Sequence, residues 1–139
     1  MSRAQALERY RSLPVPDTTE EHWRFTDLRE FDPDAFGGEG AAEARAPASM
    51  LELAVAAEAV VTETGIEITN APDEIRFEPL DESHERLGSL VGWQEDKFAA
   101  HNAAAWKQGL LVHVPGGLEL ERPLFVRVVN AVEGGSLFW

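Results

Sequence analysis

The stretch 109–128, Gly-Leu-Leu-Val-His-Val-Pro-Gly-Gly-Leu-Glu-Leu-Glu-Arg-Pro-Leu-Phe-Val-Arg-Val, limits the fold more tightly than any other part of the chain. Three short apolar runs, 110–114, 118–120 and 124–128, are separated by Pro115-Gly116-Gly117 and by Arg122-Pro123. Leu110, Val112 and Val114, then Leu118 and Leu120, then Leu124, Val126 and Val128 alternate with other residues. Successive side chains of a strand point to opposite faces, so alternation bounded by Gly and Pro predicts half-buried strands. Runs this short and this closely spaced point to the winding of a β-solenoid or a small sandwich rather than one broad sheet. Ser136-Leu137-Phe138-Trp139 reads as the interior of a further strand. The expectation is that 109–139 opens a larger β-domain.

The whole chain has 139 residues, one domain's worth and enough to bury a core. Its 44% hydrophobic and 27% charged residues fit a soluble globular protein. A formal net charge of −13 argues against nucleic acid or an anionic membrane as partner, because phosphate surfaces attract basic patches. A well-solvated acidic surface accounts for it more simply than cation binding does. The absence of cysteine excludes disulfides and thiolate chemistry in this segment and fits a reducing cytoplasm. The N-terminus lacks an apolar signal core, and no stretch approaches membrane-spanning length.

Taken in order, 3–12 is rich in helix formers, with Ala6, Leu7 and Tyr10 on one side, and Pro14 and Pro16 stop it. Thr18 with Glu21 matches a capping box and predicts a second short helix through Trp23 and Phe25. Trp23, Phe25 and Leu28 are expected to pack that element onto another. Residues 31–48 carry Gly and Pro with few large apolar residues and read as a mobile linker. From 51 to 80, Leu53, Val55, Ala57, Val61, Ile66, Ile68, Ile75 and Phe77 give period-two fragments of a small β-region, with helix as a competitor over 49–59. A polar helix is expected over 81–90, capped by Asp81. Another is expected over 94–107, ending at Gly109, with Phe98, Ala99, Asn102, Ala103 and Trp106 as a stripe facing the β-region.

Candidate chemistry is sparse. Asp32, Asp34, Gly37 and Glu43 fall at calcium-loop spacing, but Phe36 stands where an oxygen ligand is needed. His22, His84, His101 and His113 are dispersed, and His113 alternates with inward valines, so it is expected to face solvent. Glu95 and Asp96 with His101 are conceivable metal ligands, although an acidic first turn favoured by the helix dipole explains the carboxylates. There is no Gly-x-Ser-x-Gly elbow. Gly37-Gly38-Glu39-Gly40 lies in the linker and is no phosphate cradle. Glu119 and Glu121 would share a strand face, as a carbohydrate-active solenoid or jelly-roll enzyme would require of paired carboxylates, but exposed glutamates are commonplace on strands. No catalytic, cofactor-binding or metal residue is assigned, and the chain is not expected to be an enzyme.

Three blocks resemble the SufB/SufD family of iron–sulfur cluster assembly proteins. Glu21-His22-Trp23-Arg24-Phe25-Thr26-Asp27-Leu28 is similar to the family's Glu-x-Trp-Arg-Tyr/Phe-Thr-Asp-Leu signature. Asp96-Lys97-Phe98-Ala99-Ala100-His101-Asn102-Ala103-Ala104, continuing through Trp106, Gly109, Val112-His113-Val114-Pro115 and Pro123-Leu124, resembles its helix-then-strand entry into a β-helix, with His101 where Leu commonly precedes the Asn. Phe77-Glu78-Pro79-Leu80 fits its connecting segment. Order and spacing favour SufD over SufB and cover the N-terminal part of a family member.

The resemblance implies an α+β chain: an N-terminal helical region with a small β-region, leading into the first turns of a right-handed parallel β-helix. The segments would be 1–48 helical with the linker, 49–108 small β-region plus helices, and 109–139 the start of the β-helix. It also implies a scaffold without catalytic residues in this segment, and the sequence features above predict that the chain is cytoplasmic. Partners would be a SufB-like paralogue and an ABC-type ATPase subunit, engaged through later regions, with the iron–sulfur cluster handled transiently by the full complex. A carbohydrate-active solenoid and a plain interaction module are the alternatives. Because a solenoid's first turns cannot cover their open end, self-association or poor order of 134–139 is expected.

Overall fold

The computed structural model describes residues 2–36, 46–94, 96–132, 136 and 138–139. Among them are two α-helices and five strands in two sheets, a small α+β architecture. The chain forms two compact units, one of Met1–Gly37 with Ser83–Trp106 and one of Gly38–Glu82 with Lys107–Trp139. Each unit is thus built from two stretches of chain, whereas the sequence reading runs in three consecutive segments.

In the first unit, α1 spans Arg3–Ser12, the expected range. Its start is fixed by a complete capping box: the Gln5 N–H donates to the Ser2 hydroxyl, and the Ser2 N–H donates to the Gln5 side chain. Arg9 and Arg11 lie in the last turn, where the helix dipole favours cations. Helix α2 spans Lys97–Ala105, with the Asp96 carboxylate accepting from the Ala99 N–H at 2.8 Å. It packs on α1. Ala6 on α1 and Ala100 on α2 are both fully buried, and side chains this small allow close approach of two helices.

Several expectations for this unit are corrected. Leu7 is exposed, so the buried stripe of α1 is Ala6 and Tyr10. Asn102 is exposed, and within the unit α1 packs against α2. The helix also ends at Ala105, four residues before Gly109, through the extended backbone of Trp106 at φ −58° and ψ 139°.

No helix follows Thr18. The Asp17 carboxylate takes the Thr19 N–H at 2.7 Å, a local bond that competes with helical pairing. The chain instead makes successive turns, Glu20 N–H to Asp17 O, Trp23 N–H to Glu20 O and Thr26 N–H to Trp23 O. The polar run 81–90 is likewise a series of turns, and Gly88 at φ +72°, near its end, has a conformation no right-handed helix contains.

In the second unit, β1 (Ala57–Thr62) pairs antiparallel with β2 (Gly65–Thr69) and parallel with β5 (Leu124–Val128), giving the order β2-β1-β5. The parallel register runs from Ala57 opposite Leu124 to Val61 opposite Val128. Backbone bonds from Ala56 N–H to Pro123 O and from Val129 N–H to Val61 O extend it at both ends. The second sheet pairs β3 (Arg76–Pro79) antiparallel with β4 (Leu110–His113). The Leu80 N–H donates to Gly109 O at 2.7 Å. Bonding alternates along an antiparallel pair, so Pro79 falls opposite Leu110 where the ladder asks for no N–H.

The core of this unit is Ala57, Ala59, Ile75 and Phe77, with Ile66, Ile68, Leu110, Leu118, Leu120, Leu124 and Val126 packed against it. The expected strand over 118–120 does not form: the Leu118 N–H closes a turn onto Pro115 O, and Gly117 sits at φ +85°. Leu118 and Leu120 still reach the core, so their alternation reports burial without a strand. Val112 and Val114 are 46% and 38% exposed, against the inward placement their alternation suggests. Leu51 and Leu53 are exposed and outside any strand, and of the stretch 49–59 for which helix competed, only 57–59 are regular, as the start of β1.

Among the described residues the sheets form neither a closed barrel nor a solenoid. None of the described helices is long and apolar enough to cross a membrane. Half of the Gly-rich linker, residues 37–45, and most of 133–137 lie outside the described residues.

Candidate functional site

The densest meeting of polar and aromatic groups in the first unit is centred on Tyr10. Helix α1 places Tyr10 one turn beyond Ala6, so its ring is buried between the helices. Its hydroxyl donates to the Asp34 carboxylate at 2.5 Å. Asp34 is presented by a single 3-10 turn, Pro33–Ala35, whose N-cap is the Asp32 side chain accepting from the Asp34 N–H. From α2, the His101 ring stacks on Tyr10 with centroids 4.2 Å apart and 21° between planes. The Lys97 ammonium lies 4.1 Å from the Tyr10 ring centroid. It also donates to the carbonyls of Tyr10 and Leu13 at 2.9 and 2.8 Å, capping the C-terminus of α1. Lys97 and His101 are four residues apart and share one face of α2.

Electrostatics in this cluster favour neutral rings. Burial pushes the Tyr10 phenol well above its ordinary range, and the hydrogen bond to Asp34 and the nearby Asp34 and Asp32 charges push it the same way. The phenol is held as a donor and is not activated as a base. Burial lowers the His101 pKa and the Lys97 charge lowers it further, with the Asp34 charge opposing both. Chemically the cluster joins α1, α2 and the 3-10 turn. It holds no activated nucleophile.

The residues weighed from sequence are dispersed. Asp96 caps α2, His101 stacks on Tyr10, and Glu95 lies outside the described residues. Asp32 and Asp34 serve the 3-10 turn and Tyr10, while Gly37 and Glu43 lie outside the described residues. His22 and His113 are exposed, and the His84 ring accepts from the Arg86 N–H. Glu119 and Glu121 are exposed, on a segment that is not a strand. Among the described residues no group of three His, Asp or Glu side chains is arranged to hold a metal ion. The Tyr10–Asp34 pair escaped sequence reading because loop carboxylates carry no periodicity; the four-residue spacing of Lys97 and His101 was the only available signal.

The segments bearing the family-like blocks meet in space. The Trp23 ring lies 5.3 Å from that of Phe98, and Phe31 lies 5.9 Å from the same Phe98. Phe25, expected to pack with Trp23, is 86% exposed, and the Arg24 guanidinium lies 4.4 Å from its ring centroid. In the second unit, Phe77 is paired with Val112 and Pro79 with Leu110. Comparison with protein-family models, with curated proteins and with solved structures gives no match to this chain.

Proposed function

We propose that the chain is the N-terminal part of a SufD-like scaffold subunit for iron–sulfur cluster assembly, structural in this segment and cytoplasmic. The observation that carries the reading is the pairwise meeting of the three family-like blocks: Trp23 with Phe98, and Phe77 with Val112. These residues are some 75 and 35 positions apart in sequence, and they meet through an aromatic contact in one case and a strand pairing in the other. A scaffold of this kind needs early strands to which later coils can add in parallel. The parallel pairing of β1 with β5, which leaves β5 at the sheet edge, suits that need. In this reading the right-handed parallel β-helix begins from these strands, the cluster is cargo of the assembled complex, and the partners are a SufB-like paralogue and an ABC-type ATPase subunit.

The test is co-expression of the complete reading frame containing this chain with the SufB-like and ABC-type subunits encoded in the same genome. Stoichiometric co-purification of all three is the expected result. Recovery of the full-length protein free of both would overturn the proposal.

A further inference from the structure

After β5 the backbone makes one more ladder bond, Val129 N–H to Val61 O, and then crosses the β1–β2 turn. There Glu63 meets it with both carboxylate oxygens: Oε2 accepts from the Ala131 N–H and Oε1 from the Val132 N–H, each at 3.0 Å. The chain later comes beside the approach to β4, where the Lys107 N–H donates to Phe138 O at 3.2 Å. The two amides that follow the ladder, those of Ala131 and Val132, are thus both held by one carboxylate. We propose that 130–132 is a strap latched by the Glu63 carboxylate on the β1–β2 hairpin, and that neutralising this carboxylate releases it while the β1–β5 ladder stays paired.

The geometry supports the division. Two successive N–H groups on one carboxylate form charge-assisted bonds, and a neutral acid loses acceptor strength toward both. The ladder of Ala57–Val61 with Leu124–Val128 is held by its backbone bonds and by the Arg127–Glu58 ion pair at 2.8 Å, and Glu63 takes no part in it. The groups facing the carboxylate are the N–H groups of Val132, Ala131 and Glu63 itself. Burial pushes the Glu63 pKa up, but these donors outweigh it and hold the carboxyl below its ordinary value. A depressed carboxyl keeps its grip above the ordinary glutamate value of about 4.3 and loses it as pH falls through the lower folded-state value. The inference goes beyond the scaffold reading and stands without it.

Two measurements test it. In Glu63→Ala and Glu63→Gln at neutral pH, amide exchange at Ala131 and Val132 should quicken about tenfold, the worth of roughly one charge-assisted bond. Protection of Val60, Val61 and Arg127 should stay at the wild-type level. In the unaltered protein, the Ala131 and Val132 amide proton shifts should titrate together at one midpoint below the ordinary glutamate range. Unchanged exchange at Ala131 and Val132, or loss of protection there only together with the whole sheet, would refute the latch. Separate midpoints for the two amides would refute it equally, and this measurement needs no variant to fold.

Discussion

Tyr10 shows how much one side chain can organise. Its ring receives His101 and Lys97 from α2, and its hydroxyl reaches Asp34. Protonating His101 would place a second cation beside Lys97 against a ring already buried, with Asp34 the carboxylate facing both. Because burial and then Lys97 depress this histidine, the folded state prefers it neutral. Its contribution is complete above the ordinary histidine value of about 6.5 and is lost as pH falls from there toward the folded-state value. The urea midpoint of the wild-type protein should therefore decline between roughly pH 7 and pH 5 more steeply than that of His101→Gln. Parallel curves for the two proteins would show that the stacked imidazole carries no such linkage.

At the scale of elements, β1 is the strand on which the second unit is built, paired on one side with β2 and on the other with β5. Ala57, Ala59 and Val61 are all fully buried. Val61 is also the largest side chain described as fully buried, so truncating it removes two methyl groups from a site closed to water. Val61→Ala is expected to cost about 2 kcal/mol, the lost transfer of two methyls plus an incompletely collapsed cavity. Chemical denaturation measures it, and a cost near zero would mean that the β1 face is loosely packed. Val112 is a useful contrast, since its exposed side chain should tolerate the same change with little effect.

At the scale of the whole molecule, each unit draws on two separated stretches of chain. Helix α1 has ten residues, below the length at which an isolated helix holds in water, and Ala6 and Tyr10 need α2 to be buried. A peptide of residues 1–37 should give a coil spectrum by circular dichroism and gain helix when a peptide of residues 83–106 is added. A helical spectrum from the first peptide alone would show that local propensity, and not its distant partner, sustains α1. Folding of this unit then requires closing a loop of some 45 intervening residues, a cost that rises only slowly with length.

Where a segment's own chemistry left one outcome, sequence was enough. Ser2, Gln5 and the proline after Leu13 bound α1, and Leu-Phe-Val-Arg-Val between Pro123 and a polar exit bounds β5. Sequence misled where a side chain offered a competing local bond, as at Asp17, which took the Thr19 N–H and displaced a helix, and where the backbone itself turned left-handed, as at Gly88. Pairing was beyond it altogether. The parallel match of β1 to β5, the meeting of Trp23 with Phe98 and the Asp34 bond to Tyr10 join residues far apart in the chain. Periodicity tells which face of a segment avoids water; only the competition among all apolar faces for one another decides which two meet.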